Sequence, residues 1–263
     1  MSETFLEKIV AKTREKVELQ KNDADIDALK RRAIDIRADA KPHRLRMALG
    51  GKDRTNIIAE IKRASPSKGI INADIDVAAL ARQYEMGGAA GVSVLTEAEY
   101  FRGSLDDLRT VRAAVDLPIL RKDFTVDEFQ IYEAAAAGAD AILLIVAALS
   151  EQYLKDFLRL AEDDLGMDAL VEVHSLDELK IAANIGATII GVNNRDLHSL
   201  AVSLDVSRRL IEHRPTKALM VAESGLSTRE EIEELRHLGF DGFLIGETLM
   251  RTRDAAKTIG EWI

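Results

Sequence analysis

Apolar and β-branched residues gather along the chain in eight short runs: IIAEI (57–61), GVSVL (91–95), PILRK (118–122), AILLIV (141–146), ALVEV (169–173), TIIGV (188–192), ALMVA (218–222) and GFLIG (242–246). Each has the length of a strand. Between them lie stretches with helical spacing, so strand and helix alternate, which predicts a parallel sheet. Local punctuation agrees. Thr125 with Glu128, Ser175 with Glu178 and Ser227 with Glu230 are spaced as capping boxes, in which a hydroxyl three residues before a glutamate satisfies orphan amides at a helix start. Gly87, Gly138, Gly186 and Gly239 stand where a helix must stop and the next strand begin.

One βα unit used eight times closes into a (β/α)8 TIM barrel more naturally than it forms an open sheet, because the eighth run is followed by one more helix-like segment and then the chain ends. The competing architecture, an open doubly wound sheet, lacks its G-x-G-x-x-G fingerprint after the first run. Residues 1–50 fall outside the repeat. Leu6, Ile9, Val10 and Val17 make an amphipathic helix there, and KRRAIDIRADA continues in a more charged register. The expectation is a single barrel domain over residues 1–263, with residues 1–50 as an N-terminal helical extension packed on it.

Composition narrows the classes. With 263 residues, 47% of them hydrophobic, the chain can bury a sizeable core. It has no uncharged apolar stretch of the roughly 18 residues a membrane span needs, and its first residues mix Glu7 and Glu15 with Lys8, Lys12 and Lys16, unlike a signal peptide. A cytoplasmic protein with no membrane partner is expected. The absence of cysteine removes disulfides, thiolate metal sites and thiol nucleophiles together. A net charge of −9 argues against a general nucleic-acid surface, so any anionic ligand must be held by locally placed basic groups. No His, Cys or carboxylate cluster has metal-ligand spacing, and no metal is expected.

In a barrel, chemistry belongs at the carboxyl ends of the strands. Those ends carry Glu60 and Lys62, Thr96 and Glu97, Lys122 and Asp123, Glu172 and His174, Asn193 with Asn194 and Arg195, Glu223 and Ser224, and Gly246 with Glu247. Lys62 and Lys122 are the sharper pair: two ammonium groups on one mouth are expected to lower each other's pKa and attract an anion, so that one could act as a general acid. A plain Glu60–Lys62 ion pair is the bland alternative. Glu172 interrupts an apolar run, a costly place for a carboxylate unless it faces a cation in the mouth, and it is the candidate base. His174 and Glu97 read as ordinary loop residues and are set aside. Ser224, Gly225 and Gly246 sit at the seventh and eighth strand ends, where barrels often hold phosphate on backbone amides.

These motifs carry a resemblance. The chain resembles the indole-3-glycerol-phosphate synthases of tryptophan biosynthesis over nearly its whole length, most specifically in IIAEIKRASPSKG, supported by SVLTE, YFRGSLDDL, PILRKDF, LVEVH, GVNNRDL, ESG and LIGETLM. Departures are small: Ala222 stands where a serine is common, and Glu247 where small residues also occur. The resemblance implies a sugar-phosphate substrate, 1-(2-carboxyphenylamino)-1-deoxyribulose 5-phosphate, and three events: attack of an aryl carbon on the ketone, loss of carbon dioxide, and loss of the new hydroxyl. It implies Lys122 as the acid of ring closure, Lys62 or Lys122 as acid later, Glu172 as base and Glu60 orienting the lysines. Asn193, Arg195 and Glu223 would hold sugar hydroxyls or neighbouring charges, Ser65 would lie near the substrate carboxylate, and Ser224, Gly225, Gly246 and Glu247 would surround the phosphate. No cofactor is implied, because the aniline nitrogen supplies the electron push. Two rivals are the preceding isomerase of the same pathway, which typically relies on a cysteine this chain lacks, and a catalytically silent sugar-phosphate binder. The oligomeric state stays open, a monomer among the options.

Overall fold

The computed structural model describes residues 4–197 and 199–263; Met1–Glu3, the start of the expected extension, and His198 lie outside the described residues. Eight parallel strands close on themselves: β1 (Ile57–Ile61), β2 (Gly91–Leu95), β3 (Ile119–Lys122), β4 (Ala141–Ile145), β5 (Asp168–Val173), β6 (Ile189–Asn193), β7 (Leu219–Glu223) and β8 (Gly242–Ile245). Closure is made by β1, where Ala59 pairs with Val92 of β2 on one side and Ile245 of β8 on the other. The open-sheet alternative is thereby excluded. Boundaries move by a residue at several strands. Pro118 has no N–H to give and stays outside β3, whereas Asn193 and Glu223, expected just past their strands, are the last residues of β6 and β7.

Alternation along each strand sorts side chains into two cores. Ile57, Ala59, Ile61, Val92 and Val94 face outward and pack with Leu108, Ile131, Leu179 and Ile232 of the helices. Ile58, Leu120, Leu170 and Val221, from the four odd strands, belong to the cluster that fills the barrel. Two residues further along the same strands come Glu60, Lys122, Glu172 and Glu223, which by the same period face inward, one layer nearer the carboxyl ends.

The extension runs from one end of the barrel to the other. Helix α1 (Phe5–Asp23) starts at the mouth, α2 (Ile26–Ala38) lies along α6 (Glu128–Ala136), and α3 (Arg44–Leu49) plugs the opposite end with Leu45 and Leu49. The plug needs room: a Cβ at Gly242 would stand 2.7 Å from the Leu49 side chain, and one at Gly91 3.1 Å from that of Leu45. The buried stripe of α1 is Leu6, Ile9, Thr13 and Val17 rather than one including Val10. Thr13 tolerates burial because its hydroxyl donates to the Ile9 carbonyl.

Helix starts depart from the sequence reading in instructive ways. Helix α6 is capped by Asp127, not Thr125, and α10 (Arg229–Leu238) by Thr228 with Glu231, one residue after the expected pair. Ser175 does cap α8 (Leu176–Asn184), but the Glu178 side chain reaches past it to the amide of His174. At the end of α4 (Val77–Met86) the left-handed residue is Gly88, not Gly87. Two helices, α11 (Glu247–Arg251) and α12 (Ala255–Trp262), follow β8 instead of one. The RASPSKG segment is not irregular throughout, since Ala64–Ser65 and Gly69–Ile70 pair as a short antiparallel hairpin.

Arg37 ties the extension to the barrel. It is 8% exposed and donates to the carbonyls of Leu165, Ala139 and Gly166, with Asp140 3.5 Å from its Nη1. Replacing it with methionine takes that donor from the Leu165 and Ala139 carbonyls, while Gly166 keeps the His43 amide at 3.0 Å, and Arg37→Met should destabilise the protein by about 2 kcal/mol in urea unfolding, less than a complete buried-pair loss because Arg112 still holds Asp140 at 2.9 Å. A change below about 0.5 kcal/mol would show that the anchor is dispensable.

Candidate functional site

Above the apolar layers the barrel opens into a cavity of about 990 Å³, with the inward charged layer as its floor. Lys122 is the centre of that layer. Its Nζ lies 2.7 Å from Glu172 Oε2 and 3.0 Å from Glu223 Oε2, with its side chain 12% exposed and those of the two glutamates 3% and 2%. Beside it, Lys62 Nζ donates to Glu60 Oε1 at 2.6 Å. The Glu60–Lys62 pair fits because residue 246 is glycine: a Cβ there would collide with the Glu60 carboxylate and stand 3.0 Å from Lys62 Nζ. Gly191 serves Glu223 in the same way, since a Cβ would run into its Oε1.

The electrostatics follow from this crowding. For Lys122, burial works to lower the pKa but is outweighed by the carboxylates of Glu172, Glu223 and Glu60, so the ammonium is held well above its ordinary range. This corrects the expectation of a depressed pKa at Lys122, because carboxylates crowd its ammonium. Glu172 is pushed up by burial and more strongly down by Lys122, His174 and Asn193, to about 2. Glu223 is pushed up to about 7 by burial, with Lys122 opposing and Glu172 and Glu60 adding to the rise. The two glutamates titrate as a pair around one ammonium, and the proton taken up near neutrality belongs on the Glu223 side.

The remaining sequence candidates line the same cavity. Ser65 comes from the hairpin, while Asn193 and Arg195 come from β6 and the loop after it. Asn193 Oδ1 accepts from the Arg195 amide at 3.0 Å, and the Arg195 guanidinium donates to the Leu200 carbonyl at 2.9 Å. Ser224 and Gly225 both adopt left-handed backbone, at φ 65° and 82°, and Val202 packs where a Gly225 Cβ would be, 2.5 Å away. Glu247, on the rim, pairs with Lys68 at 3.6 Å and Arg251 at 3.1 Å. Asn194 turns away from the cavity to hold the carbonyls of Glu223 and Ser224 together, and Glu97 accepts from the amides of Glu99, Tyr100 and Phe101. Among the described residues no group of three or more His, Cys, Asp or Glu side chains is placed to hold a metal ion.

Sequence reasoning missed part of the site. Phe5 and Leu6 reach the cavity from α1, and Phe101 and Phe124 from the loops after β2 and β3, giving it an apolar wall suited to an aromatic ring. No local signal marks them as lining residues, because only closure of the barrel brings them to the mouth. Next to Lys122 in the chain, Asp123 accepts from the Thr96 hydroxyl at 2.6 Å and from Arg121 at 3.1 Å, while Arg121 also donates to the Gln130 carbonyl at 2.7 Å. This buried network fixes the turn from which Lys122 projects. His174, set aside earlier, lies 3.4 Å from Glu172.

A sequence model of indole-3-glycerol phosphate synthase matches residues 6–262. The indole-3-glycerol phosphate synthase of Carboxydothermus hydrogenoformans is 46% identical over 97% of this chain and 98% of its own length. That of Koribacter versatilis is 46% identical over the full length of both. The enzyme of the same name from Desulfosudis oleivorans is 51% identical over 77% of each chain. Among solved structures, thiamine phosphate pyrophosphorylase from Pyrococcus furiosus superposes with a TM-score of 0.60 at 19% identity, covering 83% of this chain and 95% of its own, a likeness of fold alone. On whole-length identity and family match together, the chain belongs to the indole-3-glycerol phosphate synthase family.

Proposed function

We propose that the mouth of the barrel converts 1-(2-carboxyphenylamino)-1-deoxyribulose 5-phosphate to indole-3-glycerol phosphate, with Lys122 as the acid of ring closure. As a member of its family the chain is a carboxy-lyase acting on a small phosphorylated substrate. The observation that carries the assignment of roles is the placement of the Lys122 ammonium on the cavity floor within hydrogen-bond distance of two carboxylates.

The steps make distinct demands. When the aryl carbon that bears the carboxylate attacks the ketone, the carbonyl oxygen gains negative charge, and Lys122 supplies both the positive field and the proton that makes it a hydroxyl. The amine left behind sits 3.0 Å from Glu223, whose proton near neutrality can restore the ammonium. Carbon dioxide leaves next and the aryl ring recovers its aromaticity. The hydroxyl then departs as water, with the aniline nitrogen pushing and Lys62 or Lys122 donating the proton. Glu172 removes the last proton to form the indole, and Glu60 keeps Lys62 turned into the cavity at 2.6 Å. Phe101 and Phe124 would flank the aryl ring, and Ser65 its carboxylate. Asn193 and Arg195 would take the sugar hydroxyls, and the left-handed Ser224–Gly225 turn with Gly246 the phosphate.

The same reading makes residues 1–263 one catalytic domain, since Phe5 and Leu6 of the extension complete the cavity wall. It places the protein in the cytoplasm, without metal, cofactor, membrane or nucleic-acid partner, and a monomer suffices. The net charge of −9 speaks against a nucleic-acid surface, and among the described residues no helix is long and apolar enough to cross a membrane.

Lys122→Met should lower kcat by roughly three orders of magnitude or more while substrate-analogue binding and the far-ultraviolet spectrum change little, since a lost acid acts on the transition state. Retention of half the wild-type kcat would reject Lys122 as the acid. Glu172→Gln should slow the later dehydration selectively, and normal turnover without an accumulating intermediate would move the base elsewhere.

The phosphate turn gives a separate test. Ser224→Asp puts a carboxylate where a dianion must sit, so KM should rise about tenfold, or roughly 1.4 kcal/mol, and competitive inhibition by inorganic phosphate should weaken in parallel. An unchanged phosphate inhibition constant in a folded variant would show that the anion binds elsewhere.

A further inference from the structure

His174 follows β5 directly, and its side chain is 13% exposed, wedged between two carboxylates. On one side, Nε2 stands 3.4 Å from Glu172 Oε1, the oxygen that Lys122 does not bind. On the other, Nδ1 stands 3.2 Å from Glu178 Oε2, which also accepts from the His174 backbone amide at 2.8 Å. Ring and main chain of His174 are therefore both fixed from the first turn of α8.

The chemistry of an imidazole makes this arrangement informative. A neutral ring has one N–H and one lone pair, so either tautomer would turn a lone pair on one of the two carboxylates. Only the imidazolium presents N–H to both. Among the described residues Nε2 is buried and makes no hydrogen bond, and its contact with Glu172 Oε1 at 3.4 Å is that of an ion pair. The charged groups around the ring are Glu172 of β5, Glu178 of α8 and, farther off, Glu223 of β7, with Lys122 of β3 beyond Glu172. Two carboxylates flank the ring directly, and Glu223 adds its charge only as it ionises near pH 7. Burial works against charging the ring, but the Glu178 hydrogen bond and then Glu172 outweigh it, so His174 titrates above its ordinary value of 6.5.

We propose that His174 is a positioning residue of the reaction: an imidazolium, anchored by Glu178, that holds Glu172 Oε1 from behind so that its other oxygen stays on Lys122 and the carboxylate remains ionised. The proposal rests on the role given to Glu172 above. It explains why a carboxylate needed as a base can stay charged when it is almost fully buried: cations meet both of its oxygens. It also gives the site a pH dependence above pH 6.5. Below its folded pKa the ring is charged and Glu172 is clamped. As pH rises through that pKa, the clamp is released and turnover should fall.

The test is a titration of His174 by nitrogen NMR on the full-length, ¹⁵N-histidine-labelled protein, set beside the pH profile of turnover. The expected result is an imidazolium that persists above pH 6.5, and a wild-type kcat whose alkaline limb follows the same titration while KM changes by less than about twofold. Glu178→Gln, which keeps the histidine, should move both the titration and that limb to lower pH. His174→Gln should lower kcat on the order of tenfold near neutrality and remove the part of the limb that follows the ring, leaving only the part set by Glu223, which titrates near 7. A ring that is neutral at pH 6.5 would overturn the proposal, as would an H174Q protein with wild-type kcat and an unaltered profile. Failure of the underlying reading looks different: wild-type protein would form no indole product, or E172Q would turn over normally, whatever the state of His174.

Discussion

The structure turns on one ammonium group buried among carboxylates. A barrel of this kind is filled by layers of side chains, and here the layer from Ile58, Leu120, Leu170 and Val221 is followed by one from Glu60, Lys122, Glu172 and Glu223. Three acids and one base cannot be stacked above a dry core without mutual compensation, because an unpaired charge there costs several kcal/mol. Lys122 compensates two of the acids directly at 2.7 and 3.0 Å, Lys62 meets the third, and Glu223 relieves the rest by retaining a proton to about pH 7. The result is a preorganised set of proton donors and acceptors that does not have to reorganise when charge develops on a substrate.

That charged layer governs what surrounds it. Glycine at 191 and 246 leaves the space that the Glu223 and Glu60 carboxylates occupy, so two glycines near the mouth serve side-chain packing as much as any backbone approach to phosphate. The Thr96–Asp123–Arg121 network fixes the turn after β3, and the extension reaches both ends of the barrel, with Leu45 and Leu49 plugging it below and Phe5 and Leu6 lining the cavity above.

Much of this was legible in the sequence, for physical reasons that differ from element to element. The strands were readable because runs such as AILLIV are apolar at every position, as a strand covered on both faces must be. Glu172 stood out because a carboxylate inside such a run needs a cation, and Lys122 is there. Caps were read less well: Thr125 and Thr228 lie beside Asp127 and Ser227, and which neighbour caps depends on where the chain leaves the preceding loop, a tertiary matter. Pairwise charge reasoning also misled. Two lysines at one mouth suggest depressed pKa values, yet carboxylates crowd the Lys122 ammonium. Phe5 was missed because it arrives from a segment outside the repeat, and the ion pairs of His174, set aside as a loop residue, come from acids two residues before it and four after it.

The resemblance in the motifs, the family match and the geometry meet in one claim, that this mouth closes an indole ring with loss of one carboxylate. Its most direct measurement follows indole fluorescence and carbon dioxide release together when purified protein meets 1-(2-carboxyphenylamino)-1-deoxyribulose 5-phosphate. The account predicts that the two signals rise at the same rate and in equal amounts. No indole signal, or carbon dioxide released without it, would contradict the account.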